Sequence, residues 1–213
     1  MPTPDWFSEL LSSEINRWVR LSESQIGQLY QHYDLLLRWN RRMNLTTVKP
    51  GRETVIRHYC ESLFFTFHLP GDGERTSVLD LGSGPGFPGS CLAVLKPEWH
   101  VTLVESSQRK AVFLRESSRH LKNVTVLADR MENVGVECAW VVARAVDPEG
   151  ILALVPRLAP NIGLMLGEDD FPIIRSYSRI AWAEPIRLPW GDRRLCVYGN
   201  VSREATTDVP RET

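Results

Sequence analysis

The sequence predicts an α/β protein: a Rossmann-like, mostly parallel sheet with a helical extension at its N-terminus. Three observations carry this. From Ser77 onward short apolar runs alternate with helical patterns, as parallel strands joined by crossover helices do. The first run, SVLDL, empties into a glycine-rich joint, GSGPGFPG. Near the end, two strand-like runs flank Trp190-Gly191-Asp192 with no helix between them, which reads as a terminal antiparallel hairpin.

In chain order, Phe7, Leu10, Leu11, Ile15 and Trp18 suggest a first amphipathic helix. Ser22 with Gln25 is a capping-box pair opening a second, whose stripe is Ile26, Leu29, Tyr30, Tyr33, Leu36 and Leu37. After Lys49-Pro50-Gly51, a third places Val55, Ile56, Tyr59, Leu63, Phe64 and Phe67 on one side. LPGDGERT is a linker, so residues 1–70 form the helical extension and 71–201 the sheet domain. SVLDL, VTLVE, VTVLA, AWVVARA and IGLML are the strands. Helices are expected from Phe87, over Ser107 to Leu121, and over Pro148 to Leu158, the last opened by a proline suited to a first turn. Residues 202–213 are polar and expected to be loose.

Composition narrows the function. A chain of 213 residues, 43% apolar and 24% charged, can build one ordinary core. A net charge of −1 argues against a wholly basic nucleic-acid module and leaves room for a local basic face. Cys60, Cys91, Cys138 and Cys196 stand far apart with no CxxC, which argues for free buried thiols and against a zinc site or disulfide framework. No signal-peptide core opens the chain, and no apolar run approaches the roughly 18 residues of a membrane span. A cytoplasmic protein without metal or membrane partner is expected.

Strand, glycine turn and helix together make a cradle for a nucleotide-like ligand. Glycine permits positive φ and lets a ligand touch the main chain, and the following helix offers unpaired N–H groups. Glu105 ends the next strand, about 20 residues on, where an acid can hold two ribose hydroxyls. Gly84 to Gly89 also fits GxGxxG, so a dinucleotide has to be weighed. Three features favour S-adenosylmethionine. Asp80 at the strand end disfavours a pyrophosphate and suits a ligand ammonium, directly or through water. The chain is short for a second mononucleotide half plus a substrate domain. By analogy alone, a terminal hairpin belongs to methyltransferase sheets of class I. No GK[ST] follows the glycines, which excludes a Walker A loop.

DLGSGPGFPGSCLAVLKPE and VTLVESSQRKAVFLRE closely resemble the RsmG (GidB) family, bacterial methyltransferases that modify N7 of a guanine in 16S ribosomal RNA. WNRRMNLT at Trp39 to Thr46, RHYCESL at Arg57 to Leu63, ARA at Ala143 to Ala145 and GDRRLCVY extend the resemblance over roughly residues 30 to 200. It implies that Gly82 and Phe87 line the cofactor, that Met131 and Glu132 frame the adenine side, and that Arg144 is a cofactor-site arginine. With Asp80, Gly84 and Glu105 these are the candidate cofactor residues. Two departures stand out. Leu166 replaces a family lysine, with Glu168, Asp169 and Asp170 following, and the basic C-terminal end is missing. Both remove positive charge that could grip RNA.

Guanine N7 has a lone pair and no proton to lose, so methylation there needs no general base, and the sequence offers no convincing one. Substrate contacts must come from charge and stacking. The most basic window, residues 38 to 58, holds Arg38, Arg41, Arg42, Lys49, Arg52 and Arg57 against Glu53, with Trp39 and His58 interleaved. Arg41, Arg42, Arg57 and His58 are the candidate contacts to 16S ribosomal RNA or the small subunit, with the protein expected to act as a monomer. Arg109, Lys110, Arg115, Arg119 and Lys122 form a second basic window. A methyltransferase with a small-molecule or protein substrate, and a non-catalytic nucleotide-binding module, are the competing readings.

Overall fold

The structure, a computed structural model, describes residues 2–43, 45–47, 49–71, 75–191 and 193–202, with only the backbone of Met43. The expected tail beyond Ser202 and part of the linker, 72–74, lie outside these residues.

Among the described residues eight strands form one sheet: β1 (Ser77–Leu81), β2 (His100–Val104), β3 (Val124–Leu127), β4 (Trp140–Arg144), β5 (Asn161–Gly167), β6 (Ile180–Trp182), β7 (Ile186–Arg187) and β8 (Arg194–Val201). Their order is β3-β2-β1-β4-β5-β8-β6, with β7 also on β8. The first five run parallel, β1 pairing with both β2 and β4. β8 inserts antiparallel beside β5, and β6 and β7 pair antiparallel with it. The strand order reverses at β1, so the loops after β1 and β4 diverge to open a crevice where such sheets take ligands.

Burial on both faces follows the strand period of two. Val78, Val101, Leu103, Val142, Cys196 and Tyr198 face one core with the N-terminal helices. Leu79, Leu81, Val104, Val141, Ala143 and Val197 face a second core. Two helices cover that second face, α7 (Pro148–Leu158) and α8 (Phe171–Arg175). α7 starts as expected, its first-turn amide at Gly150 donating to the Asp147 carboxylate at 2.9 Å.

The helical extension shares the first core with the sheet. It comprises α1 (Asp5–Ile15), α2 (Glu23–Met43), and a continuous helix made of α3 (Arg52–Thr54), a π-turn (Val55–Cys60) and α4 (Glu61–His68). The capping box forms: Ser22 N–H donates to Gln25 Oε1 at 2.9 Å, and the Gln25 amide donates to Ser22 Oγ at 3.3 Å. α4 lies directly on the sheet. A Cβ at Gly163 of β5 would come within 2.9 Å of Phe65, so only glycine admits this approach. The Tyr198 hydroxyl then donates to Phe65 O at 2.7 Å.

Several expectations need correction. Phe67 is 48% exposed, because the π-turn rotates the face that simple periodicity assigns. The helix after Glu105, α6 (Gln108–Ser117), stops short of Leu121. The helix after the glycines, α5 (Gly89–Leu95), starts two residues later than Phe87. Of the four cysteines, all free, Cys138 is only half-buried.

Candidate active site

The joint after β1 is a main-chain cradle. Gly82, Gly84 and Gly86 have φ of 71°, 57° and 102°, a region that side chains resist. Their environments differ. A Cβ on Gly82 would meet Val146 at 2.8 Å, so this glycine packs the β1 loop against the β4 loop. A Cβ on Gly84 would meet nothing nearer than Gly82 O at 3.9 Å, so open space lies above it.

Two carboxylates hold the cradle from opposite sides. Glu105, at the end of β2, accepts the Gly84 amide at Oε2 (2.9 Å) and the Ser107 amide at Oε1 (2.8 Å). Each oxygen keeps a lone pair for a further donor. Asp80 is fully buried and accepts the Gly89 amide at 3.0 Å. Burial pushes its carboxyl up to about 7, against the pull of the Gly89 N–H. Its Oδ1 has no hydrogen-bond partner among the described residues. Asp80 therefore supports the loop from inside.

Phe87 carries the cradle into the helical layer. Its ring is buried, stacks on His58 of the π-turn (5.0 Å, 30°), and meets Tyr59 edge-on at 5.0 Å. His58 is thus brought to the cofactor loop as a neutral imidazole. Burial, then the charges of Arg144, Arg57 and Arg194, lower its pKa to about 3.

His32 does similar work from α2. Its Nε2 lies 2.9 Å from Pro85 O and its Nδ1 2.8 Å from the Tyr59 hydroxyl. A carbonyl only accepts, so Nε2 donates to Pro85 and Nδ1 accepts from Tyr59. Burial lowers its pKa to about 4, consistent with a neutral strut under the loop. The sequence hint was a histidine inside the apolar stripe Leu29–Tyr33–Leu36.

The β4 end is arranged differently. Ala145 takes a φ of 53°, unusual without glycine, so the chain turns sharply beside the crevice. Arg144 is 14% exposed, and its guanidinium reaches the helical layer. Nη2 donates to Glu61 Oε2 at 3.0 Å and to Arg57 O at 2.8 Å. Glu61 is wholly buried and is also bridged by Arg194 from β8, at 2.6 Å and 2.8 Å. Neither Glu61 nor Arg194 was singled out from the sequence.

The remaining candidates lie around this centre. Met131 and Glu132 form a single turn after β3, Met131 half-buried and Glu132 exposed. The Glu132 carbonyl accepts from Arg157 at 3.1 Å. Arg57 is exposed and shares a cleft of about 450 Å³ with Arg52, Glu53, Ile56, Trp190 and Arg194. Arg41 and Arg42 line another, of about 570 Å³, with Leu35, Arg38 and Trp39. The three arginine candidates for RNA therefore divide between two clefts, and His58 lies against Phe87. The acids after β5 are answered within the fold: Glu168 pairs with Arg187, and Asp169 with Arg193.

A sequence profile described as rRNA small subunit methyltransferase G matches residues 25–165. The chain belongs to this family. Its relatives include the ribosomal RNA small subunit methyltransferase G of Xanthomonas campestris pv. campestris strain 8004, 36% identical over 182 residues, 79% of this chain and 84% of that one. The protein of the same name from Roseiflexus castenholzii is 42% identical over 129 residues, 60% of this chain and 54% of that one. Among solved structures, a SAM-dependent methyltransferase from Aquifex aeolicus aligns with a TM-score of 0.51 at 17% identity, covering 61% of this chain and 85% of that one. A predicted O-methyltransferase from Agrobacterium tumefaciens gives 0.54 at 20%, covering 67% and 82%. These two likenesses establish the Rossmann-like methyltransferase fold, as the sequence predicted. Among the described residues no cluster of side chains suits a metal ion, and no helix is long and apolar enough to cross a membrane.

The cradle fits S-adenosylmethionine, the cofactor of this family. The open face of Gly84, the spare lone pairs of Glu105 and the absence of a lysine after the glycines suit a ribose-bearing ligand without phosphates.

Proposed function

We propose that this chain transfers a methyl group from S-adenosylmethionine to N7 of a guanine in 16S ribosomal RNA, as a cytoplasmic monomer. Membership of the small-subunit rRNA methyltransferase family supports the class of reaction and substrate. One structural observation supports the geometry: the His58–Phe87 stack joins the basic helical wall to the glycine cradle. A base held against that wall would lie beside the ligand in the cradle.

When bound, S-adenosylmethionine supplies an electrophilic methyl on a sulfonium. The residues of this chain bind, orient and exclude water. Glu105 would hold the ribose hydroxyls, the backbone at Gly82 and Gly84 would take the ligand closely, and Met131 and Glu132 would flank the adenine. Asp80 and His32 keep the loop in shape. His58, being neutral, offers the base a stacking and hydrogen-bonding face without adding charge. Arg57, Arg41 and Arg42 would meet phosphates. No proton leaves N7, so the site needs no general base.

Of the departures from the family pattern, the acidic run after β5 finds partners in the fold. Glu168 and Asp169 are matched by Arg187 and Arg193, so the acidic run is offset where it stands. The test is to incubate small ribosomal subunits, and their naked RNA, with labelled cofactor and to identify the modified nucleoside by mass. Label in 7-methylguanosine is expected. Label confined to protein or small molecules, with none in RNA, would reject the reading.

A further inference from the structure

Glu61 is a wholly buried carboxylate between two part-buried arginines, and the proposed function gives it no task. Its carboxylate, 0% exposed, is gripped by Arg144 from the end of β4 and by Arg194 from β8. A carboxylate buried this deeply is costly to desolvate, and burial pushes it upward while the two guanidiniums oppose that push. Packing alone would be served as well by an apolar residue of similar size.

The π-turn explains what the network holds. In an α-helix the Glu61 amide would bond to Arg57 O. Here it bonds to Ile56 O and His58 O, which leaves the Arg57 carbonyl free to accept from Arg144 at 2.8 Å. The wide turn thus depends on a guanidinium that Glu61 orients. The next residue, His58, lies against Phe87 of the glycine loop. A connected path therefore runs from Glu61 through Arg144 and the Arg57 carbonyl to His58 and the cradle.

We infer that Glu61 is a positioning residue for methyl transfer: through Arg144 it fixes the π-turn, and with it Arg57 and His58, over the cofactor cradle. The inference rests on the proposed function for its readout. Glu61 touches neither cofactor nor base. A misplaced wall should slow the transfer step, since an error of about 1 Å in a reacting geometry can cost on the order of 100-fold.

The test measures turnover on small-subunit rRNA at saturating RNA and cofactor, per folded molecule as judged by circular dichroism and thermal melting. Glu61→Gln should lower kcat by ~10- to 100-fold, and Glu61→Asp should recover part of that loss. A double-mutant cycle with Arg144→Lys decides whether the two act as one unit. If they do, the double variant is no slower than the worse single variant. A purely structural role predicts fewer folded molecules with normal kcat each. Normal kcat in Glu61→Gln, or losses that multiply in the double variant, would overturn the inference. Should Glu61→Gln not fold, Glu61→Asp carries the same cycle with its charge intact and its carboxylate withdrawn by one methylene. Wild-type protein that labels no rRNA would defeat the functional reading and this inference with it. Wild-type protein that labels rRNA beside an equally fast Glu61 variant would defeat only the inference.

Discussion

The two walls of the crevice are built from different materials. The cradle wall, Gly82 to Gly89, is main chain, held by Asp80, Glu105 and His32. The helical wall is side chain, held by Glu61 between two arginines and offering Arg57 and His58. Backbone recognition tolerates little variation, because a single Cβ in the wrong place fills the site or breaks the loop. A side-chain wall can change its charges while its frame stays put, as the paired acids after β5 illustrate. The difference suits a site that takes an invariant cofactor on one side and a particular RNA on the other.

The largest effect expected is on the cradle wall. Gly89→Ala would press a Cβ into Leu103 and to 2.5 Å from Asp80 Oδ2, both inside the core. A loss of about 3 kcal/mol or more in urea unfolding is expected, because backbone and a buried carboxylate must shift together. An unchanged midpoint would mean the loop is far softer than its hydrogen bonds imply.

The next effect separates Asp80 from the two histidines by their protons. Asp80 has a raised folded pKa of about 7, so its contribution is present below the unfolded value and is lost as pH rises toward 7. His32 and His58 have depressed folded values, about 4 and about 3, so theirs is present above about 6.5 and is lost as pH falls. Between pH 4 and 6.5 the terms oppose each other. Asp80→Asn deletes one of them while keeping an oxygen for the Gly89 amide. Its stability should therefore rise more steeply with pH than the wild type's, by about 1.4 kcal/mol per unit. Parallel curves would show that Asp80 ionises normally in the fold.

A similar energy is expected at Glu105. Glu105→Gln keeps one acceptor and removes the charge, so S-adenosylhomocysteine affinity by calorimetry should fall by ~10-fold, about 1.4 kcal/mol, with little change in RNA affinity. The smallest effect belongs to the outer basic surface. Reversing Arg41 and Arg42 to Glu should weaken RNA binding several-fold and flatten its salt dependence, while cofactor affinity stays the same. If RNA affinity is unmoved at both low and moderate salt, the cavity at the end of α2 is not part of the RNA path.

The cradle wall was legible in the sequence, and the helical wall largely was not. Glycines at positive φ, an acid at the next strand end and alternating strands and helices are local signals set by sterics and period. The antiparallel end was visible for the same reason, although the two short strands β6 and β7 read as one run. By contrast, Glu61 meets Arg144 and Arg194 across 83 and 133 residues of chain, and no local pattern links them. The π-turn at VIRHYC carries neither proline nor glycine to mark it, so the face of α4 was misjudged at Phe67. Arg57 and His58 were found through charge and family resemblance. The partnership of His58 with Phe87 became visible only in three dimensions.

The central claim is that bare backbone at Gly84, with Glu105 beside it, receives the adenosine of S-adenosylmethionine. Calorimetric titration of S-adenosylhomocysteine into the wild type and Gly84→Asn tests it most directly, since asparagine tolerates the φ of 57° and its side chain enters open space. The account predicts one site in the wild type and binding weakened at least ~10-fold in a folded Gly84→Asn. Equal binding by the two proteins would contradict it.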